Sequence, residues 1–408
     1  MTEDVAEDGT GSTSAVPFIS RVRIKNYKSI ASCDVRLGPL TILVGPNGSG
    51  KSNFLDALAF MTRALETTPE EAINERGGLG EILRRVPGGA DSFTIAVETT
   101  RPFWPAWPEL PTTYGFEIGP TQNGTGFEVI REDCIAQGER WISRLRLEHG
   151  SGVGTLSGVE VSYKAPRGRL ALQTFGGEPF ESLYYSLRSP RFYNFDTQTL
   201  RRPQSSAARP LLQHDGEALG DVLAALATDF PVSKARLDAY VNAIVPDATA
   251  VKAQRAGGYM TVSLKTNIEG DDYEFSSLAM SDGTIRAVAM LAALFQPEAL
   301  DGRLALVGIE EPETALHPAA AGVLFDALTE ASERVQVIAT SQSPDLLDRE
   351  DIDPSVVRVV VMRDGLTVIG EVDEVSREIA AQKLYTLGAL MRGDQLTPAP
   401  SEGGDAEE

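Results

Sequence analysis

The sequence predicts an α/β fold: a mixed or parallel sheet flanked by helices, with an antiparallel β-rich subdomain and an inserted helical or irregular region. In the last third of the chain, apolar strand patterns alternate with a helical pattern, at 304–309, 319–331, 335–341 and 357–362. Strands joined by helices pair in parallel and are buried on both faces, which explains these nearly continuous apolar runs. Between residues 67 and 180, short alternating segments separated by Gly and Pro predict the antiparallel subdomain.

Composition and charge narrow the class of protein. The chain is 42% apolar and 23% charged, and no run of about 18 apolar residues is present that could span a bilayer. The N-terminal residues are acidic and unlike a secretory signal, and Cys33 and Cys134 have neither disulfide-framework nor metal-ligand spacing. We therefore expect a cytoplasmic protein without a membrane partner. A formal net charge of −21 argues against indiscriminate coating of nucleic acid.

A glycine-rich loop, residues 45–52, follows the predicted strand 40–44 and precedes a helical pattern. The loop reads GPNGSGKS and satisfies the Walker A pattern G-x-x-x-x-G-K-[ST] in the strand-loop-helix context that this pattern requires. Glycines let backbone N–H groups approach a polyphosphate, Lys51 adds a positive charge, and the Ser52 hydroxyl is a ligand for Mg²⁺. The predicted ATP-binding residues are Gly45, Pro46, Asn47, Gly48, Ser49, Gly50, Lys51, Ser52 and Asn53.

Two glutamates, Glu310 and Glu311, follow the apolar run 304–309. Adjacent carboxylates repel each other, and burying them is costly unless a cation is nearby. In enzymes with a Walker A loop, an acidic residue at the end of a neighbouring strand holds Mg²⁺. The sequence therefore predicts Glu310 and Ser52 as metal ligands, and Glu311 as the base that orients and deprotonates a water. The alternative is a strand that ends in solvent, where acidic residues are ordinary.

Four motifs together resemble a known family. In order, they are GPNGSGKSNFLDAL (45–58), LAMSDGTIRAVAMLAALF (278–295), LVGIEEPETALHP (306–318) and IATSQSPDLLD (338–348). They resemble an ABC-type ATPase of the RecF/SMC-like, OLD-like group, often labelled AAA family ATPase. The resemblance covers nearly all of residues 18–393. It is closest to compact bacterial ATPases without a Toprim domain, since 66 residues after Gln342 are too few for one.

The resemblance implies roles for further residues. Ser281, Asp282 and Gly283, the signature segment, would cap the γ-phosphate bound to the opposite subunit, in a homodimer or higher oligomer that sandwiches ATP. Residues 313–317, the D-loop, would lie at the dimer seam. Gln342 occupies the switch position, where many relatives have His; it can donate a hydrogen bond but cannot carry a positive charge, so slow ATP hydrolysis is expected. The glutamine that would sense Mg²⁺ has only Gln198 as a candidate.

Motifs and composition divide the chain into five predicted segments. They are 1–17, a disordered acidic tail; 18–66, the first part of an ATPase domain with Walker A; 67–210, a β-rich subdomain and insertion; 211–393, the second part with signature, Walker B, D-loop and switch; and 394–408, a second disordered acidic tail. The tails lack Lys and Arg and contain few large apolar residues, which favours disorder.

Three interpretations remain for what such an ATP-driven switch acts on. The first is DNA or RNA, in repair, recombination or anti-phage defence. Its local support is an arginine-rich stretch interleaved with aromatic residues, a pattern suited to phosphates and bases: Arg188, Arg191, Phe192, Tyr193, Phe195, Arg201, Arg202 and Arg209. These arginines could equally bond the acidic body of the protein itself. The second interpretation is a scaffold for a separate effector, such as a nuclease or toxin. The third, a transporter ATPase subunit, is disfavoured by the degenerate signature segment and the long β-rich insertion.

Overall fold

The computed structural model describes residues 17–400 except 86–89, 101–110, 122, 125, 138–141, 157, 167, 178 and 207–210. In chain order, its strands are β1 (Ile19–Tyr27), β2 (Ile30–Arg36), β3 (Leu40–Val44), β4 (Phe93–Thr99), β5 (Thr112–Pro120), β6 (Phe127–Gln137), β7 (Ile142–Glu148), β8 (Ser151–Leu156), β9 (Val159–Lys164), β10 (Arg191–Tyr193), β11 (Gln204–Ser205), β12 (Ala248–Ala256), β13 (Tyr259–Ile268), β14 (Asp271–Ser276), β15 (Leu306–Glu310), β16 (Gln336–Ser341), β17 (Val357–Arg363) and β18 (Leu366–Glu371).

The α-helices of the same residues are α1 (Lys51–Glu66), α2 (Pro69–Asn74), α3 (Leu79–Ile82), α4 (Phe180–Leu187), α5 (Thr197–Arg201), α6 (Leu219–Asp229), α7 (Pro231–Ile244), α8 (Asp282–Phe295), α9 (Pro297–Leu300), α10 (Ala321–Ser332), α11 (Glu374–Ala381) and α12 (Leu387–Arg392). Among the described residues, no helix is both long and apolar enough to cross a bilayer.

The central sheet has the strand order β10-β15-β16-β3-β17-β18. Its strands are parallel except β18, which pairs antiparallel with β17. Successive side chains of a strand point to opposite faces, and both faces of this sheet are covered: Ile42 and Val44 pack with α6, α7, α8 and α10, whereas Leu43 packs with α1. The predicted α/β fold with a mixed sheet flanked by helices is therefore confirmed.

An antiparallel sheet with the order β2-β1-β4-β5-β6-β7-β8-β9 covers the other side of α1. Buried aromatic side chains from α1 and this sheet meet edge to face, for example Phe60 with Phe93, whose ring centroids are 5.3 Å apart. Helix α1 is thus enclosed between the two sheets, which fixes the direction in which its N-terminus points. A third sheet contains β11, β13 and β12, with β14 paired to β13, and packs against α6 and α7.

Two of the predicted segment boundaries need correction. Strand β10 lies inside the predicted insertion 67–210, yet it pairs with β15 in the central sheet, so the central domain resumes before residue 211. The predicted disordered tail 394–408 begins too early, because residues 394–400 are packed: Leu396 is buried and the Ala399 N–H donates to the Glu371 carbonyl at 2.8 Å. Pro398 is buried too, and the Asp373 N–H donates to the Thr397 carbonyl at 3.1 Å, so this short segment pairs with the residues that end and follow β18. Residues 1–16 and 401–408, the remainder of the predicted tails, lie outside the described residues.

Candidate active site

The glycine-rich loop 45–52 connects β3 to α1 as the sequence predicts, and its glycines are required by close packing. Gly50 has φ 104°, and a Cβ there would lie 2.0 Å from Thr367 Oγ1. A Cβ on Gly45 would lie 1.9 Å from the Val360 carbonyl oxygen. Any larger residue would displace the loop from β17 and β18. The loop therefore lies directly on the central sheet at the carboxyl end of β3.

The side chain of Lys51 is hydrogen-bonded to the first two residues of this loop. Its Nζ donates to the carbonyl oxygens of Gly45 at 2.7 Å and Pro46 at 2.9 Å. Burial lowers the pKa of Lys51, while the charges of Glu311 and Glu313 oppose this shift. Backbone carbonyls are thus the direct partners of the ammonium group, and the charges of the two carboxylates favour its protonated form.

Ser52 and Glu310 meet although 258 positions separate them: the Ser52 hydroxyl donates to Glu310 Oε2 at 2.8 Å. Strands β3 and β15 are parallel members of one sheet, so their carboxyl ends lie at the same edge. Burial raises the pKa of Glu310, the Ser52 hydrogen bond lowers it, and the charges of Asp56 and Glu311 raise it further. The two predicted metal ligands are brought together as a pair of oxygen donors.

Glu311 and Gln342 also meet at this edge. Gln342 Nε2 donates to Glu311 Oε2 at 2.8 Å. Glu311 has φ 44°, and its N–H donates to the carbonyl and the hydroxyl of Thr340, both at 3.1 Å. A positive φ is uncommon outside glycine, and here two hydrogen bonds from one neighbouring residue hold it. The side chain of Glu311 is thus bonded to residues 341–343, which we call the switch loop, through Gln342.

The signature segment, residues 281–283, begins α8 and is held by its own chain. Ser281 is the N-cap, and its Oγ accepts from the Thr284 N–H at 3.1 Å. Arg201 forms an ion pair with Asp282 at 2.7 Å and donates to the Met280 carbonyl at 2.7 Å. A Cβ on Gly283 would lie 2.1 Å from the Ala315 carbonyl oxygen, so this segment packs directly on the D-loop. In the described residues it is thus fixed to α5 and the D-loop rather than to loop 45–52.

Asn194 and Glu310 line the same cavity, a relationship that the sequence did not predict. Gln198, the candidate for the Mg²⁺-sensing glutamine, is exposed on α5, and its N–H donates to Asp196. Tyr193 pairs with Ile309 in parallel register, so Asn194 follows β10 as Glu310 follows Ile309. Both residues line a cavity of about 700 Å³ beside α1. Strand β10 has only three residues and shows no recognisable strand pattern in the sequence. Its pairing with β15, which places Asn194 near Glu310, could therefore not be predicted.

The arginine-rich stretch around residues 186–210 is mainly an internal structure. Tyr193 and Phe195 are buried and stack on each other with ring centroids 5.4 Å apart. Arg191 pairs with Glu66 at 2.9 Å, and Arg201 pairs with Asp282. Arg209 lies outside the described residues, and Arg202 is exposed. Among the described residues of this stretch, Tyr193 and Phe195 therefore serve core packing, and Arg191 and Arg201 form ion pairs with the acidic body rather than a stacking surface.

A second cavity, of about 860 Å³, lies at the β1–β2 turn. It is lined by basic residues, by the β1–β2 turn and by the β17–β18 turn: Lys28, Ser29, Arg76, Glu81, Leu83, Arg84, Arg85, Asp364, Gly365 and Leu366. Asn53, directly after the loop, donates to Ser29 Oγ at 2.7 Å, and Ser29 in turn bonds Thr367 at 2.7 Å. Ser29 therefore connects this polar cavity to Asn53 at the start of α1.

Comparison with known proteins identifies the family. A family model described as "AAA domain, putative AbiEii toxin, Type IV TA system" matches residues 140–348, more than half of the chain. The chain belongs to this AAA family. A second model, "AAA ATPase domain", matches residues 18–86, which include the glycine-rich loop. Together the two matches include the glycine-rich loop, the signature segment, both glutamates and the switch loop of this AAA ATPase.

Individual relatives match this AAA ATPase over short stretches. It is 45% identical to the OLD nuclease of Thermus scotoductus over 41 residues, 10% of this chain and 8% of that protein. It is 42% identical to the DNA replication and repair protein RecF of Porphyromonas gingivalis over 63 residues, 15% of this chain and 17% of that protein. The matches therefore span less than a fifth of these relatives.

Solved structures share the fold. An Smc head bound to the C-winged helix domain of ScpA has a TM-score of 0.54 at 14% identity, covering 86% of this chain and 97% of that one. An Smc head from Pyrococcus furiosus with an extended coiled coil, bound to the C-terminal domain of ScpA, has a TM-score of 0.54 at 13% identity, covering 90% and 100%. The predicted resemblance to ABC-type RecF/SMC/OLD-like ATPases is confirmed.

Proposed function

We propose that this AAA ATPase binds ATP with Mg²⁺ at loop 45–52 and hydrolyses it slowly, and that nucleotide closes two copies into a dimer that works as a switch. The observation that carries this proposal is the meeting of Ser52 with Glu310 at 2.8 Å beside the buried Lys51. Residues from two distant motifs supply a phosphate-binding loop and a pair of oxygen ligands at one edge of the sheet.

The residues present fit ATP and Mg²⁺. The buried hydroxyl of Ser49 has no hydrogen-bond partner among the described residues, as expected for a group in a phosphate-binding loop. Lys51 is bonded to two neutral carbonyls, which phosphate oxygens can replace with stronger, charge-assisted bonds. Ser52 and Glu310 would hold Mg²⁺, which when bound neutralises negative charge at the terminal phosphates. The longer side chain of Glu310, compared with the more common Asp, suits a contact through water.

The remaining chemistry falls to Glu311 and Gln342. Glu311 would accept the proton of the attacking water, a role worth roughly 10²–10⁴-fold in rate. Gln342 would keep the carboxylate of Glu311 in position through the hydrogen bond that already joins them. Because glutamine cannot be protonated, it adds no positive charge at the phosphates, and this supports slow hydrolysis.

The signature segment supplies the contact between two copies. Ser281, the N–H groups at the start of α8 and Gly283 form an anion-binding end on a helix of 14 residues. Arg201 and the D-loop already hold this segment in place, so its groups need little reordering to bind the phosphate of a second copy. Charge-assisted hydrogen bonds contribute roughly 1.5–3 kcal/mol each. Association costs roughly 4–15 kcal/mol, so a few such bonds at two symmetric sites make closure dependent on ATP and reversible.

Two variants test this function. Lys51→Ala removes the positive charge in the loop and should abolish ATP binding in calorimetry. Glu311→Gln should retain ATP and accumulate the closed dimer in sedimentation velocity, with hydrolysis reduced about 10²-fold or more. ATP affinity unchanged in Lys51→Ala would sink the assignment of the loop. Wild-type hydrolysis in Glu311→Gln would sink the assignment of the base.

We propose a nucleic-acid-related process, DNA repair, recombination or anti-phage defence, as the setting of the switch. The support is the matched stretch of RecF, which is described as a DNA replication and repair protein, since the arginine-rich stretch no longer provides it. Retention of labelled DNA or RNA on a filter, with ATP and at low salt, tests this setting. Binding that weakens as salt rises is expected, and no retention under these conditions would contradict it.

An effector scaffold is the second candidate, favoured by an exposed apolar surface near the switch loop. Val375, Leu384 and Tyr385 are 66%, 62% and 63% exposed. Helix α12 follows directly, and its Arg392 pairs with Asp345 at 2.6 Å and Asp348 at 2.7 Å, just after the switch loop. A partner bound to this surface would be linked to the switch loop through α12 and these ion pairs. Polar substitution of Leu384 and Tyr385 should then abolish nucleotide-dependent recovery of a separate protein while leaving ATP hydrolysis unchanged.

A further inference from the structure

Glu313, the last residue of the EEPE sequence, has an environment that its place in the D-loop does not explain. Its Oε1 accepts three hydrogen bonds from consecutive residues of the switch loop. The donors are the Ser341 hydroxyl at 2.7 Å, the Gln342 N–H at 3.2 Å and the Ser343 N–H at 3.3 Å. An acidic side chain that only faced solvent would be hydrated by water and would not accept three hydrogen bonds from one loop. Through these hydrogen bonds Glu313 holds the backbone of Gln342 in place, and we call this interaction the anchor.

Glu313 is half-buried, and the state of its second oxygen indicates that these hydrogen bonds come with a cost in stability. Its second oxygen, Oε2, is buried and has no hydrogen-bond partner among the described residues. Burial raises the pKa of Glu313, and the hydrogen bonds from Ser341 and from the backbone lower it. A buried carboxylate with one unpaired oxygen costs stability, so a purely structural reason for this residue is weak.

Glu311 and Glu313 reach the same loop by two different links. The side chain of Gln342 donates to Glu311, and the backbone of Gln342 donates to Glu313. Pro312 stands between the two glutamates and restricts the backbone that relates them. Displacement of residues 342–343 would therefore lengthen the Gln342–Glu311 hydrogen bond, whereas Lys51 and Ser52 have their side-chain partners elsewhere, at Gly45, Pro46 and Glu310.

We propose that Glu313 is a positioning residue for hydrolysis: it fixes the backbone of Gln342 so that the Gln342 amide holds the Glu311 carboxylate toward the attacking water. This inference rests on the proposed function of Glu311 and Gln342. It assigns to Glu313 a role in the rate of hydrolysis and none in the binding of ATP.

Kinetics of single and double variants test the inference. Glu313→Ala removes the anchor, and we expect kcat to fall about 10- to 100-fold while the Kd for ATP changes less than about threefold. Glu313→Gln keeps a neutral acceptor at the same place and should restore most of kcat. Gln342→Ala should lower kcat on its own. The double variant Glu313→Ala/Gln342→Ala should be no slower than the slower single variant, because both changes break one route to Glu311.

Glu132 offers a matched control. It is buried in β6, and its carboxylate also accepts from two backbone N–H groups, of Ala171 and Leu172, and from one hydroxyl, of Tyr114. Glu132→Gln should change the thermal unfolding temperature without changing kcat. A drop in kcat equal to that of Glu313→Ala would overturn the inference, because it would show that losing any such carboxylate slows the enzyme.

The outcomes separate this inference from the function on which it rests. Wild-type kcat in Glu313→Ala, loss of ATP binding together with kcat, or multiplicative losses in the double variant would each overturn the positioning role. If Glu311→Gln is inactive while Glu313→Ala is fully active, the proposed function stands and the inference fails. If Glu311→Gln hydrolyses ATP normally, the proposed function itself fails.

Discussion

The amide of Gln342 donates a hydrogen bond to the carboxylate of Glu311 across 2.8 Å, joining the ends of the parallel strands β15 and β16. A histidine at this position could be protonated and would add a positive charge beside the carboxylate. Glutamine orients the carboxylate without changing the net charge of the site. The pair therefore makes the position of Glu311, rather than its charge environment, depend on the switch loop.

Replacing Gln342 by glutamate tests the importance of this pair. Gln342→Glu has nearly the same shape but places a second carboxylate against Glu311, so repulsion should turn Glu311 away from its position. We expect hydrolysis to fall by roughly 10²-fold, the lower end of the usual contribution of a base. Phosphate release under saturating ATP measures the effect. A rate equal to that of the wild type would mean that the hydrogen bond has no part in hydrolysis.

Arg201 and Arg202 are neighbours with different environments, and they form a natural pair of variants. Arg201 is bonded to Met280 and Asp282 at the signature segment, whereas Arg202 is exposed and bonds the Gln198 carbonyl one turn away. Arg201→Ala should weaken the proposed ATP-dependent dimer about tenfold, because the signature segment loses a charge-assisted support. Arg202→Ala should leave it unchanged. Sedimentation in the Glu311→Gln background measures both, and equal dimer constants would remove Arg201 from the dimer contact.

Alanine substitutions of Gly283 and Gly80 form a second pair of variants, with opposite expected effects on stability. In Gly283→Ala the new Cβ would lie 2.1 Å from the Ala315 carbonyl oxygen, so the start of α8 must separate from the D-loop. Forcing an extra methyl group into a packed contact costs about 1–3 kcal/mol in the free energy of unfolding. Gly80 lies in α3, where a new methyl group would meet no atom within 4 Å, and Gly80→Ala should stabilise by about 0.5–1 kcal/mol. Urea unfolding of both variants checks the difference in sign.

The buried carboxylate of Glu132 should make stability depend on pH. Burial raises its pKa from an ordinary 4.5 to about 7 in the folded protein. Between these values the unfolded chain has lost the proton that the folded chain retains, so the free energy of unfolding falls as pH rises through this window. Below pH 4.5 the effect is fully present, and above pH 7 it is lost. The total change is about 3 kcal/mol.

The isosteric variant Glu132→Gln isolates this effect, since it cannot titrate. Between about pH 5 and pH 8 the wild type should lose about 2–3 kcal/mol of unfolding free energy relative to the variant, as the proton linkage requires. Urea unfolding of both proteins at several pH values gives the difference directly. Parallel curves for the two proteins would show that Glu132 does not retain its proton on folding.

Residues close together in sequence were predicted well. Strand β3 and the glycine-rich loop were recognised because glycine positions, the lysine and the apolar spacing of α1 lie within about twenty residues and reflect local backbone conformation. The strands of the last third were recognised because burial on both faces leaves nearly continuous apolar runs. The error at residues 394–400 arose because composition does not reveal that Leu396 and Pro398 are buried or that Thr397 and Ala399 bond the backbone of residues 371–373.

By itself, the sequence determined the central fold, the nucleotide loop and the two glutamates as candidates for one site. Only the tertiary structure decided which partners the charged residues take. Arg201 bonds a residue 79 positions away, and Glu313 bonds a loop 28 to 30 positions away. The sequence alone does not reveal whether a charged side chain contacts solvent, nucleic acid or another part of its own chain. The packing of α5 on α8 and of the D-loop on the switch loop makes the choice, because a buried charge must find its hydrogen bonds within the fold.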